Sequence, residues 1–242
     1  MSVIEKELAC GRNRIGGKRE NIEHMKTNKE PKPASFLHLT ARFTRAIDYA
    51  RQVHINYRKE TSVPYIAHLI GVASLVMGES GYVDFPVTED MVIGALLHDT
   101  VEDEGGLPRL RDVEANFGKE VAKIVEGCTD SFEEDSSKKL EWKTRKISYI
   151  RRLGDEPEGT LLVSAADKLY NARAILEDYR EIGPAIWKRF KRGREDQLWY
   201  FTELTGVYGK RGSNRLAEEL KRVIAQLTEI SAGELPQSAK RN

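Results

Sequence analysis

The 242-residue chain is nearly without cysteine: Cys10 and Cys128 are its whole complement. Two thiols cannot build a disulfide framework, and their spacing is not that of zinc ligands. Reduced thiols and a cytoplasmic location are the resulting expectation. No apolar run approaches the length of a membrane span, and the N-terminus lacks the apolar core of a signal peptide, so no membrane partner is expected. Excess charge is missing as well. The 39 Lys and Arg are balanced by 38 Asp and Glu, a formal net charge of +1, which gives no support for a nucleic-acid partner. No alternating pattern of useful length suggests a strand, and no internal repeat stands out. No glycine-rich loop is available to cradle a phosphate on backbone amides. These absences leave an all-α fold, a helical bundle of about eight to ten helices.

What is present fits one helical domain. Hydrophobic residues make up 40% of the chain, enough for a core. Residues 1–34 are rich in Gly, Lys, Arg, Glu and Asn, carry no apolar periodicity and close on Pro31 and Pro33; they are expected to be a disordered extension. The domain is expected over 35–232, with a frayed tail at 233–242. Phe43, Ile47, Ala50 and Val53 recur at helical spacing and predict a helix over 40–56. His54, at its end, reads as a core or surface histidine. His68 opens a second helix, with Val72, Leu75 and Val76 inward. Thr88-Glu89-Asp90 is a helix start, a hydroxyl cap followed by acids that suit the positive end of the helix dipole. Gly118 separates two further helices. Residues 128–139 form a polar, acidic loop with Thr129-Asp130 at its start. Residues 140–152 read as a basic helix whose cations are a solvated face, with Lys143 and Arg145 as minor candidates for phosphate. Residues 159–179 are helical, Trp187, Phe190, Leu198, Trp199 and Phe201 read as core, and a last amphipathic helix follows Asn214.

The chemistry concentrates in Ala95-Leu96-Leu97-His98-Asp99-Thr100-Val101-Glu102-Asp103, read as one helix, apolar first and acidic after. His98 and Asp99 are adjacent and can reach one metal ion from a single turn. Glu102 and Asp103 follow one turn on, on neighbouring faces. A hydrolase needs this division: ligands that hold a metal, and spare carboxylates that manage protons beside it. A His-Asp pair alone is more often a salt-bridged helix end. Two further residues shift the balance. His68 lies upstream in Pro64-Tyr65-Ile66-Ala67-His68, and Asp167 lies downstream in Ala166-Asp167-Lys168-Leu169-Tyr170-Asn171, inside an apolar stretch. A lone buried carboxylate is costly unless it is paired or binds metal.

This H…HD…D pattern, with ALLHDTVED, ADKLYNAR and RK…PYIAH, resembles the HD-domain metal-dependent phosphohydrolases. Within them it is similar to the hydrolase domain of the RelA/SpoT family, which removes the 3′-pyrophosphate of (p)ppGpp. The likeness to that branch runs from about residue 36 to about residue 180. It implies that His68, His98, Asp99 and Asp167 hold one divalent metal, Mn²⁺ by family preference, and that Glu102 and Asp103 are catalytic. It also implies that Arg58 and Lys59 neutralise substrate phosphate, the division between the two being open, and that Tyr170 and Asn171 contact sugar or base. Lys168 reads as a surface charge or a partner for the acidic loop. The expected partner is a small-molecule nucleotide; the oligomeric state is open. The chain ends too soon for the synthetase and regulatory domains of the long family members, so a stand-alone hydrolase is expected. Two alternatives stay open: an HD phosphohydrolase of another nucleotide, and a non-catalytic regulatory HD protein. Intact His68, His98, Asp99, Glu102, Asp103 and Asp167 argue against the second.

Overall fold

A computed structural model describes residues 36–103, 105–133, 139–211 and 214–233, with Asp103 described by its backbone only. The expected extension 1–34, residues 134–138 of the acidic loop, and the tail beyond Gly233 lie outside the described residues. Among the described residues there is no strand; the one extended pairing is an isolated bridge between Tyr57 and Pro64. The chain runs through α1 (Ala41–Val53), α2 (Tyr65–Gly78), α3 (Glu89–Leu97), a single turn α4 (Thr100–Asp103), α5 (Gly106–Phe117), α6 (Lys119–Cys128), α7 (Trp142–Leu153) and α8 (Glu158–Ile182). A 3₁₀ segment (Gly183–Arg189), α9 (Gly193–Lys210) and α10 (Arg215–Ile230) complete it. The all-α expectation holds. No helix among the described residues is long and apolar enough to cross a membrane.

Two helices carry the core. In α3, Val92, Ile93, Ala95, Leu96 and Leu97 are all buried, because α1, α2, α6 and α8 pack around it. Thr88 caps its start, its hydroxyl accepting from the Met91 amide at 3.3 Å, as the sequence predicts. Glu89 then ties that start to the beginning of α1, accepting from the Thr40 amide at 2.6 Å and its hydroxyl at 2.8 Å. Gly94 lets α3 approach α6. A Cβ there would stand 2.6 Å from Ile124 Cγ2, closer than packed atoms sit. The other core helix, α8, is buried from Gly159 through Leu169 apart from Lys168, and α2, α3, α6, α9 and α10 lie against it.

One sequence expectation is corrected. The HDTVED stretch is not one helix: α3 ends at Leu97, and His98 and Asp99 form a turn before α4. Side chains explain the break. Ala95 O, which would accept from the Asp99 amide in an unbroken helix, takes His98 Nδ1 at 2.8 Å. Leu97 O takes the Thr100 hydroxyl. Such side-chain-to-backbone bonds compete with the helical ladder. The result frees His98 and Asp99 to face the same point.

Candidate metal centre and substrate cavity

Three separate elements bring the predicted ligands together. His68 sits in the first turn of α2, His98 and Asp99 in the turn after α3, and Asp167 in the buried middle of α8. His68 Nε2 lies 3.3 Å from His98 Nε2, 3.3 Å from Asp99 Oδ2 and 3.3 Å from Asp167 Oδ1. His98 Nε2 lies 3.1 Å from Asp99 Oδ2 and 3.4 Å from Asp167 Oδ1. His68, His98 and Asp167 form the tightest group of possible ligands; Asp99 joins through its contacts to both imidazoles.

The donor set fits a divalent cation. Ala95 O can only accept, so His98 Nδ1 carries its proton and Nε2 presents a lone pair to the cluster. Four N and O donors turned toward one point, in a buried place, repel unless positive charge sits among them. Ligands about 2.1 Å from a shared first-row ion stand roughly 3.0–3.4 Å apart at adjacent positions, which matches the observed separations. The titration behaviour agrees. Burial works to raise the Asp167 carboxyl, but Lys168 and His98 pull it well below the usual carboxylate range. Burial opposes the ionised form of Asp99 too, yet His98 and His68 bring it well below its ordinary value. With no ion present the His98 imidazole moves the other way: despite burial, Asp99 and Asp167 hold it well above its ordinary value, so a proton on Nε2 then supplies the positive charge that an ion would replace. The site is built to keep two carboxylates ionised around a positive charge.

Supporting contacts fix these ligands. Tyr65 donates to Asp99 Oδ2 at 2.7 Å, and its ring stacks on buried His54 at 4.9 Å between centroids. Burial brings the His54 imidazole down to about 4, so it is a neutral packing partner, in line with its reading as a core histidine. Asn171 Nδ2 donates to Asp167 Oδ1 at 2.6 Å, while its Oδ1 accepts from Arg58 Nη2 at 2.5 Å. Asn171 therefore links Arg58 to Asp167 of the cluster. Lys168, read as a surface charge, is instead mostly buried and paired with Asp167 Oδ2.

Glu102 sits beside this cluster. Its Oε2 accepts from the Asp130 amide at 3.3 Å, and Arg145 Nη1 lies 4.0 Å from its Oε1. Burial first, then the Asp130 carboxylate, push the Glu102 carboxyl up to about 8, while 27% of its side chain remains open to solvent. The Asp130 side chain is buried and is the partner of Arg145 and of Lys146, whose Nζ is 2.5 Å from Oδ2. The expected solvated face of α7 is corrected on this point: Arg145 and Lys146 are turned inward to Asp130. Lys143 pairs with Asp196 at 3.3 Å and lies over the Trp199 ring. The side chain of Asp103 lies outside the described residues.

A cavity of about 530 Å³ adjoins the cluster. Tyr65, Lys168 and Asn171, each touching a carboxylate of the cluster, are in its wall. So are Arg58, Lys59, Lys146, Arg189 and Tyr170, with Trp142, Phe190, Tyr200 and Phe201 as the apolar and aromatic side. Phe190 and Phe201, read as plain core, thus face a cavity. Lys59 donates to the Arg189 carbonyl. Tyr170 packs its ring on His68, centroids 5.0 Å apart. That contact needs Gly71: a Cβ there would lie 2.1 Å from Tyr170 Cε2. Gly71→Ala is expected to push the Tyr170 ring off His68, costing about 1–3 kcal/mol of stability and raising KM. Thermal melts beside steady-state kinetics check both effects.

The HD domain family matches residues 46–197, a stretch holding all six of the predicted ligand and catalytic positions. The guanosine-3′,5′-bis(diphosphate) 3′-pyrophosphohydrolase of Homo sapiens is 35% identical over 189 residues, which are 77% of this chain and 94% of that protein. A protein of the same description from Aquifex aeolicus is 30% identical over 135 residues, 54% of this chain but 17% of that longer protein. One solved structure, described as a metazoan ortholog of SpoT that hydrolyzes ppGpp, superposes with a TM-score of 0.61 at 26% identity, covering 78% of this chain and 97% of that one.

Proposed function

The chain belongs to the HD-domain family, and we propose that within it the protein removes the 3′-pyrophosphate of guanosine 3′,5′-bis(diphosphate), releasing GDP and pyrophosphate. The observation that carries this reading is the junction of two features. A two-His, two-carboxylate cluster is joined, through the contacts of Tyr65, Lys168 and Asn171, to a cavity whose wall holds five Lys and Arg side chains together with aromatic rings. Phosphates and a purine base are the ligand chemistry that such a wall suits.

His68, His98, Asp99 and Asp167 would hold one divalent ion, for which we propose Mn²⁺, a metal that accepts imidazole and carboxylate together. The ion would supply a water of lowered pKa and polarise the phosphoryl oxygen under attack. Glu102 takes the proton of the attacking water or returns one to the departing O3′, with Asp103 beside it in sequence as the second carboxylate. Arg58 and Lys59 neutralise phosphate charge, Arg58 by its planar fork and Lys59 as a point charge. Tyr170 and Asn171 contact sugar or base from the cavity wall. We place the reaction in the cytoplasm, where the buried free thiol of Cys128 would stay reduced.

The test is pyrophosphate release from ppGpp beside a panel of ordinary nucleotides, with Mn²⁺ and after chelation, for wild type and Asp99→Ala. Release from ppGpp that needs metal and is lost in the variant is the expected result. Turnover confined to another nucleotide would overturn the substrate while keeping the centre. Metal binding without any turnover would favour a regulatory HD protein.

A further inference from the structure

Lys146 is among the cavity cations given no role above; Arg189, another, pairs with Asp178. Lys146, on α7, holds its Nζ 2.5 Å from Asp130 Oδ2 and 4.9 Å from the centre of the Tyr200 ring. Only 17% of its side chain is exposed, yet it lines the substrate cavity. A buried ammonium is costly without a compensating anion. Here the compensation is shared, because Asp130 also takes Arg145 on its other oxygen. The Asp130 carboxylate is thus divided between two cations, with the Glu102 carboxyl, 4.0 Å from Arg145, as the next acid beside them. Its placement is specific: the Asp130 amide donates to Glu102, and Lys168, also in the wall, is bound to the metal ligand Asp167. Lys146 therefore stands on the cavity side of the reacting centre.

We propose that Lys146 binds the distal phosphate of the substrate's 3′-pyrophosphate, with Asp130 as the residue that positions it; this rests on the pyrophosphohydrolase reading. In the reaction the water oxygen bonds to the proximal phosphorus and the bond from that phosphorus to O3′ breaks. The electron pair leaves with O3′, which takes a proton to become the 3′-hydroxyl, while the proton lost by water passes to a carboxylate and on to solvent. The distal phosphate carries its charge throughout. A cation on it binds ground state and transition state alike, so its effect belongs in KM and in the choice between a 3′-diphosphate and a 3′-monophosphate.

The experiment compares kcat/KM for guanosine 5′-diphosphate bearing either a 3′-diphosphate or a 3′-monophosphate, in wild type, Lys146→Met, Lys146→Arg and Asp130→Asn. Alongside it, calorimetry titrates the metal-loaded proteins with inorganic pyrophosphate and with inorganic phosphate. Lys146→Met is expected to lower the diphosphate-to-monophosphate ratio by about 10- to 100-fold, the range of a hydrogen bond to a charged group, through KM. It should weaken pyrophosphate more than phosphate. Lys146→Arg should restore most of the ratio, and Asp130→Asn should show a smaller loss in the same direction. Lys146→Gln replaces the Met variant if that one does not fold. Equal losses on both nucleotides, or equal weakening of pyrophosphate and phosphate, would overturn the proposal. If wild type turns over no 3′-diphosphate, the pyrophosphohydrolase reading fails, and the two titrations still decide the subsite.

Discussion

Asp167→Ala is expected to lower turnover about a thousandfold or more, the several kcal/mol that a bound ion contributes to stabilising transition-state charge. Asp167 is the one carboxylate of the centre that is almost wholly buried, and its Oδ1 lies within 3.4 Å of both imidazoles. Removing it takes away a ligand and the anion that Lys168 and Asn171 face. Two readouts separate these effects. A ligand that binds only the folded state at 1,000 times its Kd adds about 4 kcal/mol of stability. Wild type should therefore melt higher with excess Mn²⁺, and Asp167→Ala should lose most of that rise. Asp167→Asn, which keeps the shape and an acceptor for Asn171 but leaves the mostly buried Lys168 without its carboxylate, should melt below wild type even without metal, gain little from Mn²⁺ and still fail to turn over. An alanine variant with full metal content and near-normal turnover would make Asp167 a structural anchor for Lys168 only.

Much of this centre was legible before the fold. The helical periodicity around Phe43 and Ile47, the Thr88 cap and the break at Gly118 each state a local preference that the tertiary structure keeps. His68, His98, Asp99 and Asp167 were candidates because their H…HD…D pattern resembles that of the HD phosphohydrolases, and for Asp167 also because a lone carboxylate in an apolar stretch demands a partner. The break after Leu97 was not legible, because it comes from the His98 ring and the Thr100 hydroxyl competing for carbonyls that any helix former would have left to the ladder. Lys168, Arg145 and Lys146 were misread for another reason. A long cation on a helix is by default solvated, and only tertiary structure shows that Asp167 and Asp130 wait beneath them. Tyr65 gave no signal beyond its place in the PYIAH run; its bond to Asp99 depends on α2 crossing the turn after α3.

Glu102→Gln is the second large effect, expected to lower kcat by about 10²- to 10⁴-fold, the usual contribution of a positioned proton-transfer group. Glutamine keeps the acceptor that the Asp130 amide uses but can neither take nor give the proton. The carboxyl's own titration offers a second check. With no metal bound, burial and the Asp130 charge push Glu102 up to about 8, well above an unfolded glutamate. Between those two values the folded chain holds a proton that the unfolded chain has released. The stability from this group is thus complete in acid and lost as pH rises through about 8. Melting of the metal-free protein should fall more steeply from pH 5 to pH 9 in wild type than in Glu102→Gln. A divalent ion nearby reverses the local preference, since it favours the ionised carboxylate. In the loaded enzyme Glu102 should therefore titrate lower, so that the acid limb of kcat/KM moves below that of the metal-free group and vanishes in the variant. If Glu102→Gln keeps wild-type kcat and the same acid limb, proton transfer belongs to another group, and Asp103 is the next to replace.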